Sequence, residues 1–164
     1  MERLSVYIET SIISYLAAKT SRDLFTAACQ QITTEWWEDK RNIYDLFISE
    51  LVIAEAKAGD QDVAAKRLRL LRGIPELKIT DGVRQLAATF VAQGALPGKA
   101  QADALHIATA TVHGTDYLLT WNCRHINNPA TKPLVRSVCS AEGYLCPEIC
   151  TPIEFMEVSE NGEE

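Results

Sequence analysis

The stretch SVYIETSII, Ser5 to Ile13, decides how this chain is read: the strand formers Val6, Tyr7 and Ile8 stop abruptly on a carboxylate, Glu9, followed by two hydroxyls. A carboxylate at the end of a buried strand is costly unless a positive or hydrogen-bonding group meets it there. Glu9 therefore needs a partner. Ser11 can cap a short helix running through Leu16, so the stretch reads as a strand, a polar edge and a helix.

The same alternation continues along the chain. Ser21 or Asp23 opens a second helix in which Phe25, Ala28, Ile32 and Trp36 recur at helical spacing. The Trp36, Trp37 pair reads most simply as packing, with a ligand stack as the other reading. A second strand spans Asn42 to Ser49 and ends on a hydroxyl and a carboxylate, Ser49 and Glu50. Helices are expected from Leu51 to Ala58 and after Asp60, the latter with Ala64, Leu68 and Leu71 on one face. ELKIT (76–80) is a third strand, and Asp81 opens a helix with Val83, Leu86, Ala87, Phe90 and Val91 on one stripe. LPGKAQ (96–101) is a turn. ADALHIATATVHG (102–114) is a helix with Asp103 in its first turn, and DYLLT (116–120) a fourth strand. A helix from Leu134 to Glu142 and a short fifth strand at Glu148 to Cys150 follow. Strands alternating with helices predict a three-layer α/β/α domain around a mostly parallel sheet of four to five strands. The expected domain covers residues 1–157, with 158–164 a disordered tail.

Bulk properties set outer limits. The chain has 164 residues, 47% hydrophobic and 23% charged, as an ordinary globular domain does. A formal charge of -6 argues against holding nucleic acid by a general basic surface, unless a divalent cation does part of that work. The five cysteines form no CxxC pair, and the N-terminus carries no leader pattern, so they read as reduced thiols of a cytoplasmic protein. Cys146 and Cys150, without a nearby histidine, make a poor zinc site. No apolar run approaches the ~20 residues of a membrane span.

In an open parallel sheet, ligands bind where loops converge at the carboxyl ends of the strands. Glu9, Ser49 with Glu50, and Thr120 with Asn122 all fall on that edge. Asp103 joins them, because a helix leading into a parallel strand begins there, and a helix N-terminus favours a carboxylate. Glu50 and Glu55 compete for one place, since five residues on a helix leave two side chains about 140° apart. Asp116 begins the strand that Thr120 ends and lies roughly 13 Å away at ~3.3 Å per residue, so it is rejected. Carboxylates held together favour a hard divalent cation, Mg²⁺ or Mn²⁺, which can activate water and offset charge on a phosphate.

VYIETSI (6–12), ISELVIAEAKAG (48–59), ADALHIATA (102–110) and YLLTWNCRHINN (117–128), in this order and spacing, resemble the PIN-domain family, and within it the VapC-like ribonuclease toxins of type II toxin-antitoxin pairs. The resemblance runs from Val6 to about Phe155. It implies a parallel sheet between helices, metal-dependent hydrolysis of RNA, an antitoxin partner and a homodimer. By position it makes Glu9, Glu55 and Asp103 the acids that hold Mg²⁺ or Mn²⁺, choosing Glu55 over Glu50. The family's fourth acid falls at Asn122, and Glu9 replaces the common aspartate. Asn122 keeps an oxygen and loses a charge, which weakens the cluster and leaves two readings open: an active nuclease, or a catalytically silent RNA- or protein-binding module. A small-phosphate hydrolase has no Gly-rich phosphate loop to support it.

Each residue also has a plainer reading. Glu9 and Asp103 suit helix N-termini as stabilising charges, and Glu55 alone would be a solvated helix face. His106, one turn after Asp103, either packs, reaches solvent or acts as a ligand. Arg124 and His125 suit phosphate contact or a loop bonded to its own backbone. Thr10 and Thr120 are placed to orient a carboxylate or water. Lys66, Arg67, Arg69 and Arg72 form the densest basic face, either solvated or facing RNA or a partner.

Overall fold

The structure, a computed structural model, describes residues 2–155. The expected domain end at 157 and the tail 158–164 lie outside the described residues. Five strands, β1 (Ser5–Ile8), β2 (Asp45–Ser49), β3 (Glu76–Leu77), β4 (Tyr117–Leu119) and β5 (Glu148–Cys150), form one sheet in the order β3-β2-β1-β4-β5. Every pairing is parallel. The helices are α1 (Thr10–Ala17), α2 (Leu24–Glu35), α3 (Glu50–Ala56), α4 (Gln61–Leu71), α5 (Asp81–Ala92), α6 (Gln101–Val112) and α7 (Lys132–Ala141).

This strand order fixes where the chain can bind. From β1 the connections step outward through β2 to β3, then return to β4 on the other side of β1 and step outward again to β5. Right-handed crossovers put α1 to α4 on one face and α5 to α7 on the other. Packing agrees with this division: α1 touches α2, α3 and α4, while α5 touches α6 and α7. The two directions part between β1 and β4, which makes the carboxyl ends of those strands the natural crevice.

The core lies where the pattern of Val6, Tyr7 and Ile8 puts it, with all three fully buried in the central strand. Leu118 and Leu119 of β4 and Ile48 of β2 continue it. A strand covered by helices on both faces has no polar alternation, and β1 therefore reads as a continuous apolar run.

Several element ends differ from the sequence reading. Glu9, not Ser11, caps α1, and its side chain accepts the Ser11 N–H. The second strand starts at Asp45 because Arg41–Ile43 wind into a 3₁₀ turn after a π turn at Trp36–Lys40. Trp36 and Trp37 are buried in the chain's own core, Trp36 against Tyr44 and Phe155, so the pair is unavailable to a dimer partner. The exposed apolar side chains of α2 are Leu24 and Phe25.

Leu118 sits between β1 and β5 with no exposed surface. Leu118→Ala is expected to lower unfolding stability by ~2–5 kcal/mol in urea titration. A loss below ~1 kcal/mol would contradict a central, covered β4.

Candidate functional site

The crevice is built from the ends of β1 and β4 and the starts of α1, α3 and α6. Glu9 follows β1 directly and is only 5% exposed. Its carboxylate accepts the Ser11 N–H on one oxygen and the Thr120 hydroxyl, at 3.2 Å, on the other. These are the partners its position demanded. Burial pushes the Glu9 carboxyl up, against the lowering effects of His106 and of the Ser11 bond.

Glu55 belongs to a second group of bonds. The Thr10 hydroxyl donates to Oε1 at 2.7 Å, and His106 Nε2 meets the same oxygen at 2.6 Å. His106 is 1% exposed, and its Nδ1 lies 2.7 Å from the Tyr7 hydroxyl, which in turn lies 2.8 Å from Ser49 Oγ. The carboxylate of Glu55 accepts from Nε2–H, and the Tyr7 hydroxyl bridges Nδ1 and Ser49 Oγ. Ser49 Oγ also receives the Val52 N–H, at 3.4 Å, as the cap of α3. Burial raises the Glu55 carboxyl, but the His106 and Thr10 bonds outweigh it and hold the group below its usual range. Burial keeps the Tyr7 phenol protonated, far above its ordinary value.

Asp103, in the first turn of α6, is the centre of a third group. Asn122 Nδ2 donates to Oδ1 at 3.0 Å, and His125 Nδ1 lies 2.8 Å from Oδ2. The His125 N–H donates to Asn122 Oδ1 at 3.0 Å, and this fixes the amide: only the oxygen can face that N–H, so the NH₂ faces Asp103. The Asn122 N–H donates to Thr120 Oγ1 at 2.9 Å, joining this group to Glu9.

The assigned residues thus meet at one edge, but as donor-paired carboxylates. Among the described residues no three His, Cys, Asp or Glu side chains stand so that they could hold a metal ion. The oxygen expected of Asn122 as a ligand is turned to His125. Three carboxylates suit Mg²⁺ or Mn²⁺ chemically, yet in this arrangement they do not form a ligand set.

The Thr10 hydroxyl is bonded to Glu55 and the Thr120 hydroxyl to Glu9. His106 is bonded to Glu55 rather than solvated. Glu50 is exposed, and Asp116 bonds Ser5 at the opposite end of the strands. Arg124 is exposed in the loop, and its carbonyl accepts from Asn128. Arg67 spends its guanidinium on the Ala56 and Ala58 carbonyls, so the basic face of α4 is reduced to Lys66, Arg69 and Arg72. The sequence reading missed Tyr7 and Ser49 as supports of His106; the signal was a tyrosine in an otherwise aliphatic buried strand, which needs a hydroxyl partner. A groove of about 410 Å³ between α5 and α6, lined by Ala87, Val91 and Leu105, includes none of these residues. Among the described residues no helix is long and apolar enough to cross a membrane.

Residues 6–126 match the PIN domain family model, and the chain belongs to the PIN-domain family. Its fold is similar to that of VapC20 from Mycobacterium tuberculosis, a toxin that cleaves the sarcin-ricin loop. The two align with a TM-score of 0.54 and 14% identity over 85% of this chain and 96% of that one. It is also similar to VapBC2 from Rickettsia felis bound to a DNA fragment from its promoter, at a TM-score of 0.51 and 14% identity over 90% of this chain and 98% of that one. No curated protein sequence matches the chain.

Two outcomes follow from the pairing. Asn122→Asp turns an amide donor into a carboxylate facing Asp103, and like charges at contact repel. The variant should melt below the wild type in EDTA and recover on adding Mn²⁺; unchanged melting in both conditions would mean that position 122 does not face Asp103. The second concerns pH. Because the folded protein holds the Glu9 proton to higher pH than the unfolded chain does, the stability this gives is full below the unfolded pKa and lost as pH rises through the folded one. The Tm of Glu9→Gln relative to wild type should therefore climb as pH rises above the ordinary carboxylate range. A flat difference would show that burial does not strain this carboxylate.

Proposed function

We propose that the chain is an endoribonuclease that hydrolyses RNA phosphodiesters, with Glu9, Glu55, Asp103 and Asn122 at its centre. The observation that carries this reading is the joining of carboxylates from β1, α3 and α6 at the crevice where the strand connections part, in a chain of the PIN family. Hydrolysis needs a water held against phosphorus, a route for its proton and stabilisation of the departing oxygen. Carboxylates fixed by Thr10 and Thr120 hold and orient such a water by accepting its hydrogens. His125, with Nδ1 committed to Asp103, keeps Nε2 for hydrogen bonding to substrate. Arg124, in the same loop, suits the phosphate.

The cation of this reading is Mg²⁺ or Mn²⁺. Glu9, Glu55 and Asp103 would hold it: Oε2 of Glu55 carries no hydrogen bond among the described residues, whereas at Asp103 the ion would share the carboxylate with Asn122 and His125. The comparison with a VapBC pair supports an antitoxin protein as partner, and the exposed Leu24 and Phe25 of α2 offer apolar surface for it or for a second copy of the chain. A second reading is favoured by the Asn122 amide, which satisfies Asp103 without any ion: a PIN fold that binds RNA or protein and does not cut.

The deciding experiment incubates a mixed set of labelled RNAs with Mn²⁺, Mg²⁺ or EDTA and either wild type or Asp103→Asn. Metal-dependent cleavage that drops at least ~100-fold in the variant is the expected result, in keeping with loss of a group that acts in the reaction itself. Absence of cleavage by both proteins, with no metal-induced rise in Tm, would favour the silent module.

A further inference from the structure

Trp121 leaves β4 between the two residues that tie the crevice together, Thr120 on Glu9 and Asn122 on Asp103. Its backbone N–H donates to Ser11 Oγ at 2.8 Å, and its indole stacks on Tyr15, with ring centroids 5.6 Å apart and planes 12° from parallel. Ser11 and Tyr15 are four residues apart on α1 and so share one face, which explains why both meet the same tryptophan. The indole N–H is already spent: it donates to Thr33 Oγ1 at 2.8 Å, and Thr33 is fully buried. Both rings are half-buried, unlike Trp36 and Trp37, which are 0% and 6% exposed. The chain thus holds a planar aromatic pair, fixed in orientation and partly open to solvent, beside the two residues that bond its Glu9 and Asp103 carboxylates.

We propose that Tyr15 and Trp121 form a stacking platform for one RNA base beside the phosphodiester to be cut. The inference rests on the ribonuclease reading and adds a base subsite to it. RNA that is recognised in single strands is held largely by stacking of splayed bases on aromatic side chains. Stacking tolerates any base, because it reads the π-face rather than an edge. A platform whose only indole donor is committed to Thr33 is of that kind. Arg124, three residues on, is exposed and forms no ion pair among the described residues, so the same loop carries a cation for the phosphate next to the stacked base. In a chain of net charge -6, such a localised arrangement supplies attraction that the overall charge does not.

The test uses a short RNA in EDTA, followed by anisotropy and by tryptophan emission, so that binding is read without metal-dependent cleavage. Bound RNA should quench emission, because Trp121 is half-exposed while Trp36 and Trp37 are covered. Trp121→Leu and Tyr15→Leu should each weaken binding about tenfold or more, and Trp121→Phe, which keeps a ring, should stay within ~threefold of wild type. An abasic site at the stacked position should cost the wild type as much as Trp121→Leu costs, and cost that variant nothing further. Unaltered affinity in both leucine variants would overturn the platform while leaving the ribonuclease reading intact. Failure of the wild type to bind any RNA would overturn both.

Discussion

The buried carboxylate of Glu9 is the constraint on which the crevice depends. It sits at the one place in the sheet where connections leave in opposite directions, and it is met by a backbone N–H from α1 and a hydroxyl from β4. Neither donor carries a charge, and burial raises the carboxyl in spite of them, so the group at the centre of the sheet is held by hydrogen bonds at the expense of its ionisation. Leaving such a group without them would cost several kcal/mol, on the order of the whole stability of a domain. The first turn of α1 and the end of β4 are therefore fixed to each other through one side chain. Thr120, Trp121 and Asn122 take their directions from that attachment.

Around this centre the other two carboxylates are held by different means. Glu55 is reached from below, through a chain of hydrogen bonds that starts at the cap of α3 and passes Ser49, Tyr7 and His106. Ser49, Tyr7 and His106 are buried, and each is hydrogen-bonded on two sides. Fully satisfied polar networks of this sort are rigid, since loss of any member strands its neighbours. Asp103 is reached from the side, by an amide and an imidazole in the loop after β4. One carboxylate thus rests on the core, the other on a loop.

Much of this was legible in the sequence. Val6 to Ile8 gave a covered strand, glycines and caps divided the helices, and alternation fixed a parallel sheet, which fixed its carboxyl edge. Glu9, Thr120, Asn122 and Asp103 could be placed there by topology alone. The choice of Glu55 over Glu50 came only from resemblance, because helical geometry excludes both pointing one way without saying which does. What stayed hidden depends on contacts between residues far apart in the chain. Tyr7 and His106 are 99 residues apart, and no local pattern announces their bond. The orientation of the Asn122 amide is set by a backbone N–H three residues on, which is a matter of loop conformation. The 3₁₀ turn at Arg41–Ile43 likewise cut short a strand that propensity alone had extended.

The amide at position 122 changes what kind of site this is. Four carboxylates at one edge would repel one another and be stable only with a cation between them. Here an amide takes the fourth place, and donors meet both oxygens of Glu9, both oxygens of Asp103 and Oε1 of Glu55. On the ribonuclease reading proposed above, a cation at this edge would share the Asp103 carboxylate with the protein's own hydrogen bonds, and its affinity would fall by the cost of loosening them. A phosphate that helped to loosen them would tighten the ion in return, because coupling between two ligands is reciprocal. On that reading Asn122 would couple cation and substrate more closely than a fourth acid would.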